Sequence, residues 1–188
     1  MVPKQDIEAS LHKKQVMSIQ GQPTDRTLTK LKKDLTTISG SVPTALGGGK
    51  HGHAGLIIKN NKYVTVSNDG NAFVVLDHPG MYLNTVSDDV KLRASKEAQH
   101  KGSILEHEIC AWVKQVMKDF IAESVHEEWL AEIRDDVMGF ANVTSLAMLE
   151  HLEKRGGTLD YINTKEIKKE RNDPWDVNKH VVTYFNRV

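Results

Sequence analysis

The sequence predicts a mainly α fold, a multi-helix domain with a long central helix and a glycine-rich loop and short-strand insertion. Three observations carry that prediction. Between Ser103 and Ser124, Leu105, Ile109, Trp112, Val113, Val116, Met117, Phe120 and Ile121 recur at spacings of three and four. That is the apolar stripe of a helix, and no other segment offers one as long. Shorter stripes of the same period lie on both sides of it. Between them stands the densest glycine cluster in the chain, Leu46-Gly-Gly-Gly-Lys-His-Gly-His-Ala-Gly-Leu56, with three β-branched runs behind it.

Residues 1–23 are polar, lack a sustained period and end in Gly21-Gln-Pro23, so a flexible N-terminal arm is expected there. The remainder, 24–188, reads as one helical domain. Thr24 or Asp25 caps a first helix in which Leu28, Leu31, Leu35 and Ile38 share a face, and Gly40 and Pro43 stop it.

The glycine block from Gly47 to Gly55 admits several readings. Gly47, Gly49 and Gly52 formally make G-x-G-x-x-G, but a helix precedes them where a dinucleotide site needs a strand. A P-loop fails too, since Thr44 stands for its first glycine and His51 for its Ser/Thr. His51 and His53 offer at most two metal ligands, and no local cysteine or carboxylate completes a set. The remaining reading is steric: the glycines permit positive φ and close backbone approach as the chain reverses into Leu56-Ile-Ile58. Leu56–Ile58, Tyr63–Val66 and Phe73–Leu76, split by Asn60-Asn61 and Asn68-Asp-Gly-Asn71, carry strand and turn signals. The same runs also suit an extended loop draped over helices.

Ser87-Asp-Asp89 looks like a helix start, with a helix over 90–101 running toward the central one and Gly102 as a weak point. Ser103 and Glu106 then form a capping box, and Trp112 is expected in the core. Ser124-Val-His-Glu127 repeats the box, with Trp129, Leu130, Ile133 and Val137 on the apolar side of the next helix. Asn142-Val-Thr144 caps another, with Leu146, Met148, Leu149 and Leu152 inward and Gly156-Gly157 as its stop. Thr164-Lys-Glu-Ile167 opens a polar turn, and Asp173-Pro-Trp-Asp176 precedes a last helix carrying Val177, Val181, Tyr184, Phe185 and Val188 on one face. That pattern stops without a terminating signal, so a C-terminally truncated domain is expected.

Composition narrows the function. No apolar run reaches the ~20 residues of a membrane span, and the N-terminus lacks a hydrophobic signal core. Cys110 is the single cysteine, which excludes intrachain disulfides and multi-cysteine zinc sites. A cytoplasmic protein with no membrane partner is expected. Net charge is zero, yet Ser103–Glu153 holds eleven acidic residues against three basic, and both ends of the chain carry a basic excess. Such a distribution suits complementary contact between faces or subunits and argues against the central helix lying along a phosphate backbone. The ends lack the Arg–aromatic interleaving of a nucleic-acid module.

No catalytic set emerges. H-E-x-x-H and G-x-S-x-G are absent. Cys110 falls inside a helix, away from the electropositive terminus that lowers a thiol pKa. Asp88-Asp89 and Asp135-Asp136 are adjacent, hence about 100° apart on a helix, and serve better as caps than as paired carboxylates. No catalytic, cofactor-binding or metal-binding residue is assigned, and no enzyme is expected.

The order of these pieces resembles the gag region of copia-type LTR retrotransposons, especially elements of algae and water moulds. The likeness rests on the glycine–histidine block, Pro79-Gly-Met-Tyr-Leu-Asn-Thr85, the long helix, Gly139-Phe-Ala-Asn-Val-Thr144, Met148-Leu-Glu-His-Leu152 and Asp173-Pro-Trp175. It spans residues 24–188. The resemblance implies an all-helical, self-associating capsid subunit without catalysis, whose partner is itself and which packages element RNA through a region downstream. The zinc knuckle, protease, integrase and reverse transcriptase that usually follow are not in this sequence, so their activities are not assigned to it. Arg155-Gly156-Gly157 stands where the family often has an aromatic–Gly pair. The competing reading is a small metal- or ligand-binding protein using His51 and His53, with His78 as a third candidate.

Overall fold

The computed structural model describes residues 11, 14–67, 70–83, 90–156 and 165. Among these residues the chain is mainly helical and contains no strand. Helix α1 spans Asp25–Gly40, α2 Asn60–Ser67 and α3 Val90–Ser124, while α4 occupies 145–156. Single 3-10 turns at Leu46–Gly48, Gly52–Leu56, Glu127–Trp129 and Ala131–Ile133 join them.

Helix α1 forms as its sequence dictates. Thr24 is the cap: its hydroxyl accepts from the Thr27 N–H at 3.3 Å, and Thr27 Oγ1 accepts from the Thr24 N–H at 2.8 Å. Leu28, Leu31, Leu35 and Ile38 are buried along one face. Each such leucine removed from water contributes roughly 1.5–3 kcal/mol.

Helix α3 is longer than its apolar stripe. It runs 35 residues, about 52 Å, from Val90 and passes straight through Gly102. Ser103 is therefore not a cap; its hydroxyl donates back to the Gln99 carbonyl at 3.2 Å. Glu106, expected to complete the box, instead reaches across to residues 44 and 45. The reason is propensity: Lys91, Leu92, Arg93, Ala94, Lys96, Glu97, Ala98 and Gln99 are helix formers, and one glycine costs only about 1 kcal/mol against them. A Glu97–Lys101 pair at 2.7 Å adds i,i+4 support.

The core lies where α1, the lower half of α3 and α4 meet. Ile109, Val113, Met117 and Ile121 of α3 face Leu31 and Leu35 of α1 and Met148, Leu149 and Leu152 of α4, all buried. Leu105, Trp112, Val116 and Phe120 pack at the edge of this core and are only half-buried. The wide stripe thus has a narrow buried line at i+4 spacing, and Trp112 sits beside it rather than in it.

The strand signals are overridden. Tyr63–Val66 lies inside α2, where Tyr63 and Ser67, four residues apart, are the buried positions. Leu56–Ile58 forms a 3-10 turn and its exit. Phe73–Leu76 has no regular secondary structure and no strand partner among the described residues; the Phe73 N–H donates to Asn60 Oδ1 at 2.9 Å. A β-branched run reports a preference for a pleated, half-buried surface, and none is offered here.

The stretch expected as a free arm is described over 11 and 14–23, and there it lies against the body. Leu11 and Ile19 are buried, Val16 and Met17 pack on the same core, and the Ile19 N–H donates to the Ser124 carbonyl at 2.7 Å. Polar composition hides this small apolar group.

Past Ser124 the second capping box also fails to form. Ser124 Oγ donates to the Phe120 carbonyl, the turn at Glu127–Trp129 has no side-chain cap, and Val137 is 89 % exposed. A helix there would place Asp135 and Asp136 at its negative end. Instead Asp135 Oδ1 accepts from the N–H groups of Val137 and Met138 and closes a tight turn bridged to Gly139. Helix α4 begins as expected: Thr144 Oγ1 accepts from the Ala147 N–H at 3.1 Å. The helix start at Ser87–Asp89, Gly157, the turn at 164–167 apart from Lys165, the turn at 173–176 and the last helix at 177–188 lie outside the described residues.

Candidate functional site

The glycine–histidine block fills the angle between the end of α1 and the middle of α3. Gly52 has φ +49°, and a Cβ there would run into the carbonyl oxygens of Gly40 and Val42. Gly55 lies close against Phe73, whose side chain a Cβ there would also strike. These two close approaches let the chain turn tightly under α1, and they support the steric reading of the block.

The histidines are part of the same packing. His53 is fully buried, and its Nδ1 lies 2.9 Å from the Val42 carbonyl. A carbonyl only accepts, so Nδ1 carries the proton and Nε2 is left as an acceptor, for which the described residues provide no partner. Burial pushes the His53 pKa down, against the opposing pull of the Val42 hydrogen bond and the Glu106 charge. The ring is neutral at pH 7. His51 packs edge-on to Tyr63 at 6.1 Å, and its Nε2 is likewise buried without a partner among the described residues. Tyr63 and Phe73 meet at 5.6 Å, and Phe73 meets His53 at 6.3 Å, so one aromatic cluster seals the block.

His78 does not join them. Its ring packs on His107 of α3 at 5.0 Å. Among the described residues no group of three His, Cys, Asp or Glu side chains is placed to hold a metal ion.

Glu106 is the link that local patterning conceals. Its Oε1 accepts from Thr44 Oγ1 at 2.9 Å and from the Ala45 N–H at 2.8 Å, capping the first 3-10 turn from a different helix. Cys110 lies just below, buried, and desolvation raises its pKa despite nearby Lys114. A neutral buried thiol is a poor nucleophile. Asp135 is held below the usual carboxylate range by the N–H groups of Met138 and Val137, which fits a turn-closing carboxylate. Asp88 and Asp89 lie outside the described residues.

No family model, curated protein or solved structure matches this chain. In the glycine–histidine block the rings of His51 and His53 are packed in the aromatic cluster while their Nε2 atoms lack a partner among the described residues, and the arrangement fastens α1, α2 and α3 together. Two lysines of α3 stand apart from the block. Lys114 and Lys118 are half-buried and line a cavity, and Lys118 Nζ donates to the carbonyls of Phe140 and Ala141 at 2.8 and 3.0 Å. The available signal was their rarity: two of the three basic residues in the acidic middle stand at i,i+4.

Proposed function

We propose that this chain is a structural, self-associating protein of the gag capsid kind, from a retrotransposon or a host-captured derivative, acting by assembly and not by turnover. The observation that carries the reading is how its two most distinctive blocks are used. The glycine–histidine block packs as scaffold against α3, with His53 and Cys110 buried. The Gly139–Thr144 block wraps α3 through its carbonyls on Lys118 and then caps α4. Residues that build a shell subunit have this character, since their task is to hold helices at fixed angles.

Light scattering across a concentration series, at low and high salt, tests the proposal. The mean mass should rise with concentration and rise less in high salt, because contacts between acidic and basic regions are screened. A strict monomer at every concentration removes assembly as the present activity. The metal- or ligand-binding reading of His51 and His53 rests on their two unpartnered Nε2 atoms. Stoichiometric zinc uptake that is lost in His51→Ala/His53→Ala would favour it instead.

A further inference from the structure

From Ser103 to Glu153 acidic side chains outnumber basic ones by eleven to three. Yet Lys114 and Lys118 stand one turn apart on α3 and line the same cavity, about 350 Å³ in volume, and no carboxylate lines it among the described residues. Its other walls are largely apolar. Leu56, Phe73 and Val75 line it together with Val143 and Leu146, which flank the start of α4, and the polar Asn142, Thr144 and Ser145. The size is that of a small-molecule pocket, at the lower end of the usual range.

Two like charges at i,i+4 on a half-buried wall repel each other. Lys118 registers both effects: burial, then the Lys114 charge, hold its pKa down against the opposing pull of Asp119. Two of its donors are committed to the Phe140 and Ala141 carbonyls. The first N–H groups of α4, which have no intrahelical acceptor, add a field of the same sign beside Ser145 and Leu146. A monoanion in this cavity relieves the repulsion, and the apolar walls call for an uncharged body behind the anionic group.

We propose that this cavity binds a small monocarboxylate whose apolar body is the size of one aromatic ring, with the carboxylate at Lys114 and Lys118 and the ring against Phe73, Val75 and Leu146. A neutral molecule of the same shape leaves the repulsion between the two ammonium groups unrelieved. A bare anion leaves the apolar walls unfilled. The proposal is independent of self-association, and either can fail alone.

The test is an amide NMR titration of the whole chain with 3-phenylpropionate, using 3-phenylpropanamide and acetate as controls. Saturable shifts are expected at Gly55, Val75, Val143 and Ser145, with a Kd of about 1 mM for a ligand of this size. Both controls should bind at least about tenfold more weakly. Lys114→Gln, which removes no hydrogen bond from the Phe140–Ala141 segment, should weaken 3-phenylpropionate by about tenfold while leaving the rest of the spectrum unchanged. Lys114→Arg should retain binding. Absence of saturable shifts at roughly ten times that concentration overturns the proposal, as does equal binding of either control or unchanged affinity in Lys114→Gln.

Discussion

From Ile109 to Ser124, α3 turns Ile109, Val113, Met117 and Ile121 into the core, whereas from Val90 to Lys101 every residue but Arg93 and His100 is exposed. Both halves hold the same helical geometry. The buried half is held by packing; the outer half contributes no residue to the buried core, and it meets Tyr82, whose ring lies 5.4 Å from His100 and whose hydroxyl approaches the Arg93 carbonyl at 3.5 Å. The difference shows that a helix nucleated by tertiary contacts extends cheaply, since each further residue adds a hydrogen bond without a new nucleus. Length and burial are separate properties of one element.

The largest expected effect separates the halves directly. Met117→Ala should destabilise the protein by about 2–5 kcal/mol, while Leu92→Ala on the outer half should stay within ~0.5 kcal/mol. Urea denaturation of both variants measures this, and equal costs would end the distinction. Trp112→Ala sharpens its boundary. Because Trp112 is half-buried, the expected loss is about 1.5–2.5 kcal/mol, roughly half that for a fully buried aromatic. A wild-type melting curve would place it outside the buried half altogether.

Acid should loosen the buried half first, through the block beneath it. His53 has a lowered pKa when folded, so the unfolded chain takes up the proton first as pH falls below about 6.5. Stability is then lost from pH 6.5 downward to the lowered value, by at most ~1.4 kcal/mol per pH unit for this one group. His53→Asn, which can still donate to the Val42 carbonyl, should flatten that slope in denaturation curves taken between pH 7 and 5. An unchanged slope would assign the acid sensitivity to other groups. The smallest effect is on the outer half. Gly102 sits in helical backbone, and a Cβ added there would meet nothing within 4 Å, so Gly102→Ala should stabilise by about 0.5–1 kcal/mol. Hydrogen exchange over 90–102 should slow in this variant, and faster exchange would mean that the glycine is needed where it stands.

Much of this was legible in the residues. Thr24 and Thr144 cap the helices their sequences announce, and the leucines of α1 bury as their spacing requires, as do Leu149 and Leu152 of α4, whereas Leu146, also expected inward, is only half-buried. Ser103 and Glu106 misled because a capping box is a local signal, while the partners Glu106 actually takes lie 61 and 62 residues away. Tyr63–Val66 misled for a related reason: a strand signal needs a neighbouring strand, and the fold supplies a ring cluster. At the candidate site the sequence displayed His51 and His53 as a pair. It could not display that His53 Nδ1 is already bonded, because Val42 reaches it only after the chain has turned at Gly52.

That turn has a consequence for how the gene can drift. At Gly52 the obstacle to any side chain is main-chain oxygen, and at Gly55 it is a ring fixed by two others. Purifying selection at these two codons therefore operates through folding, whatever task the protein performs. A lineage that abandoned assembly, or lost every ligand, would still retain both glycines for as long as the chain had to reach its native state. Saturation mutagenesis scored by soluble yield would find both columns intolerant, together with Gly47, where a Cβ would strike the Tyr63 ring.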